Sequence, residues 1–137
     1  MPTASFVKIP AAIEDLLETG NAGTDQWAIA LTNTVPASKS FVAGTTDLVT
    51  GGGYTQGGNN VTTTSAAMSG SSFVLILADP AVWTATGGGF TFRYALLVDK
   101  TINIMPGYWD YGASQAVAAG ETVTVDLDNV NGVFSVT

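Results

Sequence analysis

The hexapeptide GYWDYG, residues 107–112, sets Tyr108, Trp109 and Tyr111 around a single carboxylate, Asp110, between two glycines. Aromatic surroundings raise a carboxyl pKa and stack against sugar rings, so Asp110 is the residue to test as an acid of glycoside hydrolysis. That reaction needs a second carboxylate, and the sequence sets none beside it. The plainer reading is an aspartate at a strand end or turn, bonded to nearby backbone N–H groups, among aromatics that serve the core or an interface. Asp126 and Asp128, in VDLDN, fall on one face of a strand with Asn129 adjacent, and hard oxygen ligands suit calcium. Their spacing departs from the EF-hand loop, and outward residues of an amphipathic strand account for them without a metal. GGGYTQGGNN, residues 51–60, has the glycines of a phosphate cradle but neither the lysine nor the strand–loop–helix setting of a P-loop. Arg93, the only arginine, lies inside an apolar strand, where it is expected to pair with an acid or point to an interface.

What the chain lacks narrows the chemistry further. It contains no histidine and no cysteine, which removes a Ser-His-Asp triad, an imidazole base or metal ligand, a thiolate nucleophile and any disulfide. No convergent acid, base and nucleophile is legible, so neither an enzyme nor a cofactor is expected. Four basic residues against eleven acidic ones give a net charge of −7, ill suited to nucleic acid or an anionic membrane, both of which draw on clustered lysine and arginine. No stretch approaches the roughly 20 apolar residues of a membrane span, and the N-terminus lacks a charged region followed by an apolar one, so synthesis and retention in the cytoplasm are expected.

The elements that must position these residues are mostly strands. A chain of 137 residues, 46% hydrophobic and only 11% charged, is expected to form one domain spanning 1–137, rich in sheet and turns. Residues 1–9 read as an N-terminal arm or first strand. PAAIEDLLETG, 10–20, reads as a short helix with Ile13, Leu16 and Leu17 on its apolar face, Glu14, Asp15 and Glu18 opposite, acidic residues complementing its dipole, and Gly20 as its stop. From 26 to 137 strands and Gly-rich loops follow. Trp27, Ile29 and Leu31 alternate with smaller residues as in a half-buried strand. FVLILA, 73–78, reads as a strand covered on both sides. Phe90, Phe92, Tyr94, Leu96 and Val98 are expected to share one face, with Arg93 on the other. In GYWDYG, period two sends Tyr108 and Asp110 to one side and Trp109 and Tyr111 to the other. Val123, Val125 and Leu127 should point inward, turn through Asn131-Gly132, and return as a hairpin with Phe134 and Val136 inward, the strand running to the last residue. The glycine runs at 51–60 and 86–90 read as loop tips or contact loops. The expected fold is all-β, a single-domain sandwich or barrel of jelly-roll or tulip-like kind with one short N-terminal α-helix.

The order of segments resembles small virion structural proteins of tailed bacteriophages: PAAIEDLLETG, TDQWAIALTNTVP, GGGYT, an apolar strand leading to VWTATGGG, then FRYALLVD, GYWDYG and AGETVTVDLDNVNGVFSVT. The likeness runs over nearly the full chain, and KTINIM, 100–105, departs from the polar turn expected between the two aromatic strands. The resemblance implies a head decoration or cement protein on the outer capsid surface, assembled in the host cytoplasm. Its partner would be the major capsid protein, and its own state a homo-oligomer, with a trimer favoured. The PTASFVKIP segment and the Gly-rich loops are the expected clamps, and Phe6, Trp83, Tyr108, Trp109 and Tyr111 the candidate interface residues, since aromatics dominate interface hot spots. Two other readings stand beside it: a tail tube or minor tail protein, and a carbohydrate-binding module using the aromatics of Tyr108–Tyr111.

Overall fold

The two most aromatic segments form the longest strands and pair with each other at the centre of the fold. In the computed structural model, which describes residues 4–136, the elements in chain order are β1 (Ser5–Lys8), α1 (Pro10–Glu18), β2 (Trp27–Thr32), β3 (Asn59–Val61), β4 (Thr63–Ser69), β5 (Ser72–Leu77), β6 (Trp83–Thr84), β7 (Phe90–Asp99), β8 (Ile104–Val117), β9 (Thr122–Val123) and β10 (Phe134–Val136). A five-stranded sheet runs β1-β8-β7-β2-β3, a three-stranded sheet runs β10-β5-β4, and β6 and β9 form a two-stranded ribbon. Every pairing is antiparallel. The expected all-β domain with one short helix is what forms. Trp27, Ile29, Leu31, Phe92 and Leu97 of the large sheet join Leu75, Leu77 and Phe134 of the small one in a single core. Both sheets keep free edges, so the arrangement is an open sandwich. Residues 2 and 3 of the expected PTASFVKIP clamp, and residue 137 at the end of the expected last strand, lie outside the described residues.

Several local expectations are overturned. Strand β2 is buried on both faces. Its large side chains enter the main core, while Ala28 and Ala30 line a second cluster with Phe41, Tyr94, Leu96, Val98 and Met105. The alternation is large against small, which lets the Phe41 loop lie close over the reverse face. Phe90 and Phe92 do not share a face with Tyr94, Leu96 and Val98. Between Phe92 and Tyr94 the register jumps from Gln115 to Asp110, so Arg93 faces an irregularity in β8. Beyond it Ala95 and Leu97 fill the main core while Tyr94, Leu96 and Val98 fill the second. Such a bulge re-aims side chains, and no period-two count foresees it.

Strand β5 buries Leu75 and Leu77 and leaves Val74 and Ile76 half-buried, so only one of its faces is covered. The C-terminal hairpin does not form, because β10 pairs with β5 rather than with residues 123–127. Val123, Val125 and Leu127 still point inward, held partly by Asp79 Oδ1, which accepts from Leu127 N at 2.8 Å. In α1 the buried residues are Ala12 and Leu16, while Leu17 is 67% exposed. No acidic residue lies in its first turn. Asp15 instead pairs with Lys39 at 2.6 Å.

The glycine-rich loops are the largest departure. Tyr54, at the centre of GGGYTQGGNN, is fully buried. A Cβ on Gly52 would lie 2.0 Å from Gly89 O, and one on Gly58 would lie 2.1 Å from Ile29 O. Thr86 N donates to Gly52 O at 2.9 Å. The 51–60 run interlocks with Gly89 and Ile29 over the core, where glycine permits backbone to meet backbone, while Gly87 and Gly88 form an exposed turn as expected.

Candidate functional site

The first four residues of GYWDYG, Gly107 to Asp110, pair with β1 at the edge of the large sheet. Phe6 is the register partner of Trp109, and Val7 that of Tyr108. The glycines at its two ends have separate tasks. A Cβ on Gly107 would lie 2.3 Å from the Phe6 ring, so glycine there lets β1 lie flat. Gly112, at φ 84°, turns the chain into the irregular stretch opposite Arg93. Trp109 and Tyr111 pack toward the main core and Tyr108 toward the second cluster, dividing the aromatics between two faces. All three remain half-buried. Phe6 and Trp109 meet at 5.0 Å and 57°, Phe92 and Tyr111 edge-on at 5.5 Å, and Tyr94 and Tyr108 edge-on at 5.7 Å.

Asp110 is not poised as an acid. Arg93 grips it through two bonds, Nε to Oδ1 at 2.9 Å and Nη2 to Oδ2 at 3.2 Å, and Gly112 N donates to Oδ1 at 2.8 Å. The guanidinium, with the backbone donor, holds the carboxyl below the ordinary aspartate range, the opposite of the shift that a proton donor needs. Arg93 also lies 5.2 Å from the Tyr94 ring centroid. The expected partner of Arg93 is therefore Asp110, and the pair fastens β7 to β8 across the bulge.

The structure brings together residues that the sequence keeps far apart. A cleft of about 540 Å³ is lined by Phe6 of β1, Trp109 and Tyr111 of β8, and the 124–133 segment with Asp126 and Asp128. Asp128 closes its own turn, accepting from Val130 N at 2.9 Å and Asn131 N at 2.8 Å, and these donors keep it ionised. Burial pushes the Tyr111 phenol up. Tyr108 does not line the cleft. Trp83 is 3% exposed and stacks 6.5 Å from Tyr54, so it belongs to the core and not to an interface. Its indole Nε1 has no hydrogen-bond partner among the described residues. Among the described residues no three acidic side chains converge where they could hold a metal ion, and no helix is long and apolar enough to cross a membrane.

Two acidic sites went unnoticed in the sequence. Asp47 is buried, and its carboxylate accepts from Tyr54 Oη at 2.5 Å, Gly57 N at 2.6 Å and Gly44 N at 2.6 Å. Tyr54 Oη in turn accepts from Leu31 N at 3.1 Å. Burial, and then the bond to Asp47, push the Tyr54 hydroxyl far up, so it remains a donor. An aspartate next to a tyrosine-bearing glycine run was the available signal. Asp99, fully buried at the end of β7, accepts from Thr101 N through Oδ1 at 3.0 Å, while Oδ2 meets no donor among the described residues. Burial, together with the neighbouring Asp25 carboxyl, raises Asp99 to about 7. Protonated, Asp99 donates to Asp25 and the orphaned oxygen is satisfied.

Compared with protein-family models, curated proteins and solved structures, the chain matches none.

Proposed function

We propose that this protein is a structural subunit of a tailed-bacteriophage particle, a decoration or cement protein that binds the major capsid protein lattice on the outer surface as a homo-oligomer, with a trimer favoured. The observation that carries the reading is the surface left for partners. Edge strand β4, TTSAAMS, has no charge and no proline along seven residues, and an edge without such blocking residues is suited to further pairing. Around the fold Leu17, Val35, Val42, Val49, Met68, Val82 and Val130 are all at least half exposed. A subunit packed among neighbours would cover some of them. The resemblance of the segment order to virion structural proteins points the same way, and the acidic charge disfavours a DNA-facing position. Modest individual contacts suffice, because a lattice engages several copies at once.

Purified protein added to phage heads stripped of it should rebind and raise their resistance to heat. Heads that stay bare and equally heat-labile overturn the proposal. Rings or filaments of the free protein in electron micrographs would move it to the tail tube. The carbohydrate reading keeps Trp109 and Tyr111 on one side but loses Tyr108, which packs toward the second cluster.

A further inference from the structure

The cleft between β1, β8 and the 124–133 segment has a definite electrostatic character. Three aromatic side chains, Phe6, Trp109 and Tyr111, line it together with the exposed Asp126 and Asp128. No basic side chain lines it among the described residues. All four basic residues of the chain are engaged elsewhere: Lys8 Nζ with Ser135 O at 2.8 Å, Lys39 with Asp15, Arg93 with Asp110, and Lys100 Nζ with Asn60 Oδ1 at 3.0 Å. Asp126 and Asp128 therefore share the cleft with aromatic rings and have no basic side chain of the described residues beside them, Asp128 being held by Val130 N, Asn131 N and Asn131 Nδ2 of its own turn. The Phe6 and Trp109 rings are tilted 57° against each other and do not form one flat shelf.

We propose that this cleft receives a lysine or arginine side chain presented by an extended segment of a partner protein. The aliphatic stem would lie along Phe6 and Trp109, and the charged head would lie between the rings and Asp126 and Asp128. A cation over an aromatic face contributes about 0.5–2 kcal/mol, more as water is excluded. A volume of about 540 Å³ admits such a side chain with its flanking backbone. The cleft lies at the free edge of β1, where an extended segment can approach. The inference rests on the proposed particle-bound role for its partner being a protein.

The test follows the indole N–H signals of the full-length protein by NMR while short capped Gly/Ser peptides are added. One peptide bears lysines, one arginines and one glutamates, and a neutral glucose hexasaccharide is titrated in parallel. Trp27 and Trp83, buried in the core, serve as internal references. The basic peptides should shift Trp109 alone and saturate, with affinity falling as salt is raised. Asp126 is exposed, so Asp126→Asn should keep the fold and weaken that binding by about two- to five-fold, the range of a partly exposed ion pair. Equal response to the glutamate peptide, response only to the saccharide, no response at all, or unchanged affinity in Asp126→Asn overturns the proposal. Peptide failure with intact head rebinding removes the cleft's role and leaves the particle reading. The reverse result leaves the cleft and removes the particle.

Discussion

Substituting Asp99 by asparagine tests the buried carboxyl pair at the end of β7. Asp99 lies at about 7 in the fold against an ordinary 3.8, because burial disfavours its charge and Asp25 stands beside it. The folded protein therefore binds more protons than the unfolded chain between those values, and its stability falls as pH rises through that window. Each pH step from 5 to 7 removes about 1.4 kcal/mol, so roughly 3 kcal/mol is lost by pH 8 relative to pH 5. In Asp99→Asn the amide Nδ2 takes the place of the protonated oxygen as donor to Asp25, and no charge forms. Urea unfolding at pH 5, 6, 7 and 8 should find the two proteins nearly equal at pH 5 and the variant more stable by roughly 3 kcal/mol at pH 8. For a chain of this size that corresponds to a Tm difference of about 10 °C. Carboxylates away from the pair are unchanged between the two proteins, so the difference reports on the Asp25–Asp99 pair. A difference that stays constant from pH 5 to pH 8 would refute the reasoning.

The glycine-rich loops give sharper mutational outcomes than surface loops would. Gly58→Ala combines φ 70° with a Cβ 2.1 Å from Ile29 O, so circular dichroism melts should show a loss of more than about 2 kcal/mol or failure to fold. Gly87→Ala is the control within the other glycine run: φ is 55° but nothing lies within 4 Å, and the loss should be about 1 kcal/mol from backbone strain alone. Tyr54→Phe removes the donor to Asp47 and the acceptor for Leu31 N inside the core, which should cost about 1–3 kcal/mol by denaturant titration. Leu17→Glu, on the exposed face of α1, should leave the isolated protein within about 0.5 kcal/mol of wild type.

The elements were legible wherever side-chain type and spacing act locally. The β-branched and aromatic runs around Trp27, Phe92 and Val123 form strands or inward-pointing segments, and Pro10 opens a helix, because those preferences need no knowledge of a distant neighbour. What failed depended on long-range contact. The hairpin after Asn131-Gly132 is a sound local turn, yet Phe134 finds a better partner strand in Leu75, some sixty residues earlier. The glycines at 51–60 look like solvent-facing polymer until the Ile29 and Gly89 carbonyls are set against them. The cleft was invisible for the same reason. Trp109 and Asp126 were each suspected for a separate chemistry, and only the tertiary fold brings them to the lining of one cleft. Asp110 matches the plainer reading, bonded by Gly112 N among aromatics that pack on the two clusters, but that Arg93, seventeen residues earlier on the paired strand, governs its charge was not legible.

The central claim is that this fold works by packing against other subunits in a phage particle. A cryo-electron microscopy map of the native particle, with copy number measured by quantitative mass spectrometry, tests it most directly. The account predicts density for the five- and three-stranded sandwich on the head exterior, in a fixed ratio to the major capsid protein and with the β4 edge or the β1 cleft against a neighbour. Purified particles that lack the chain, with the free protein a lone monomer in lysate, would contradict it.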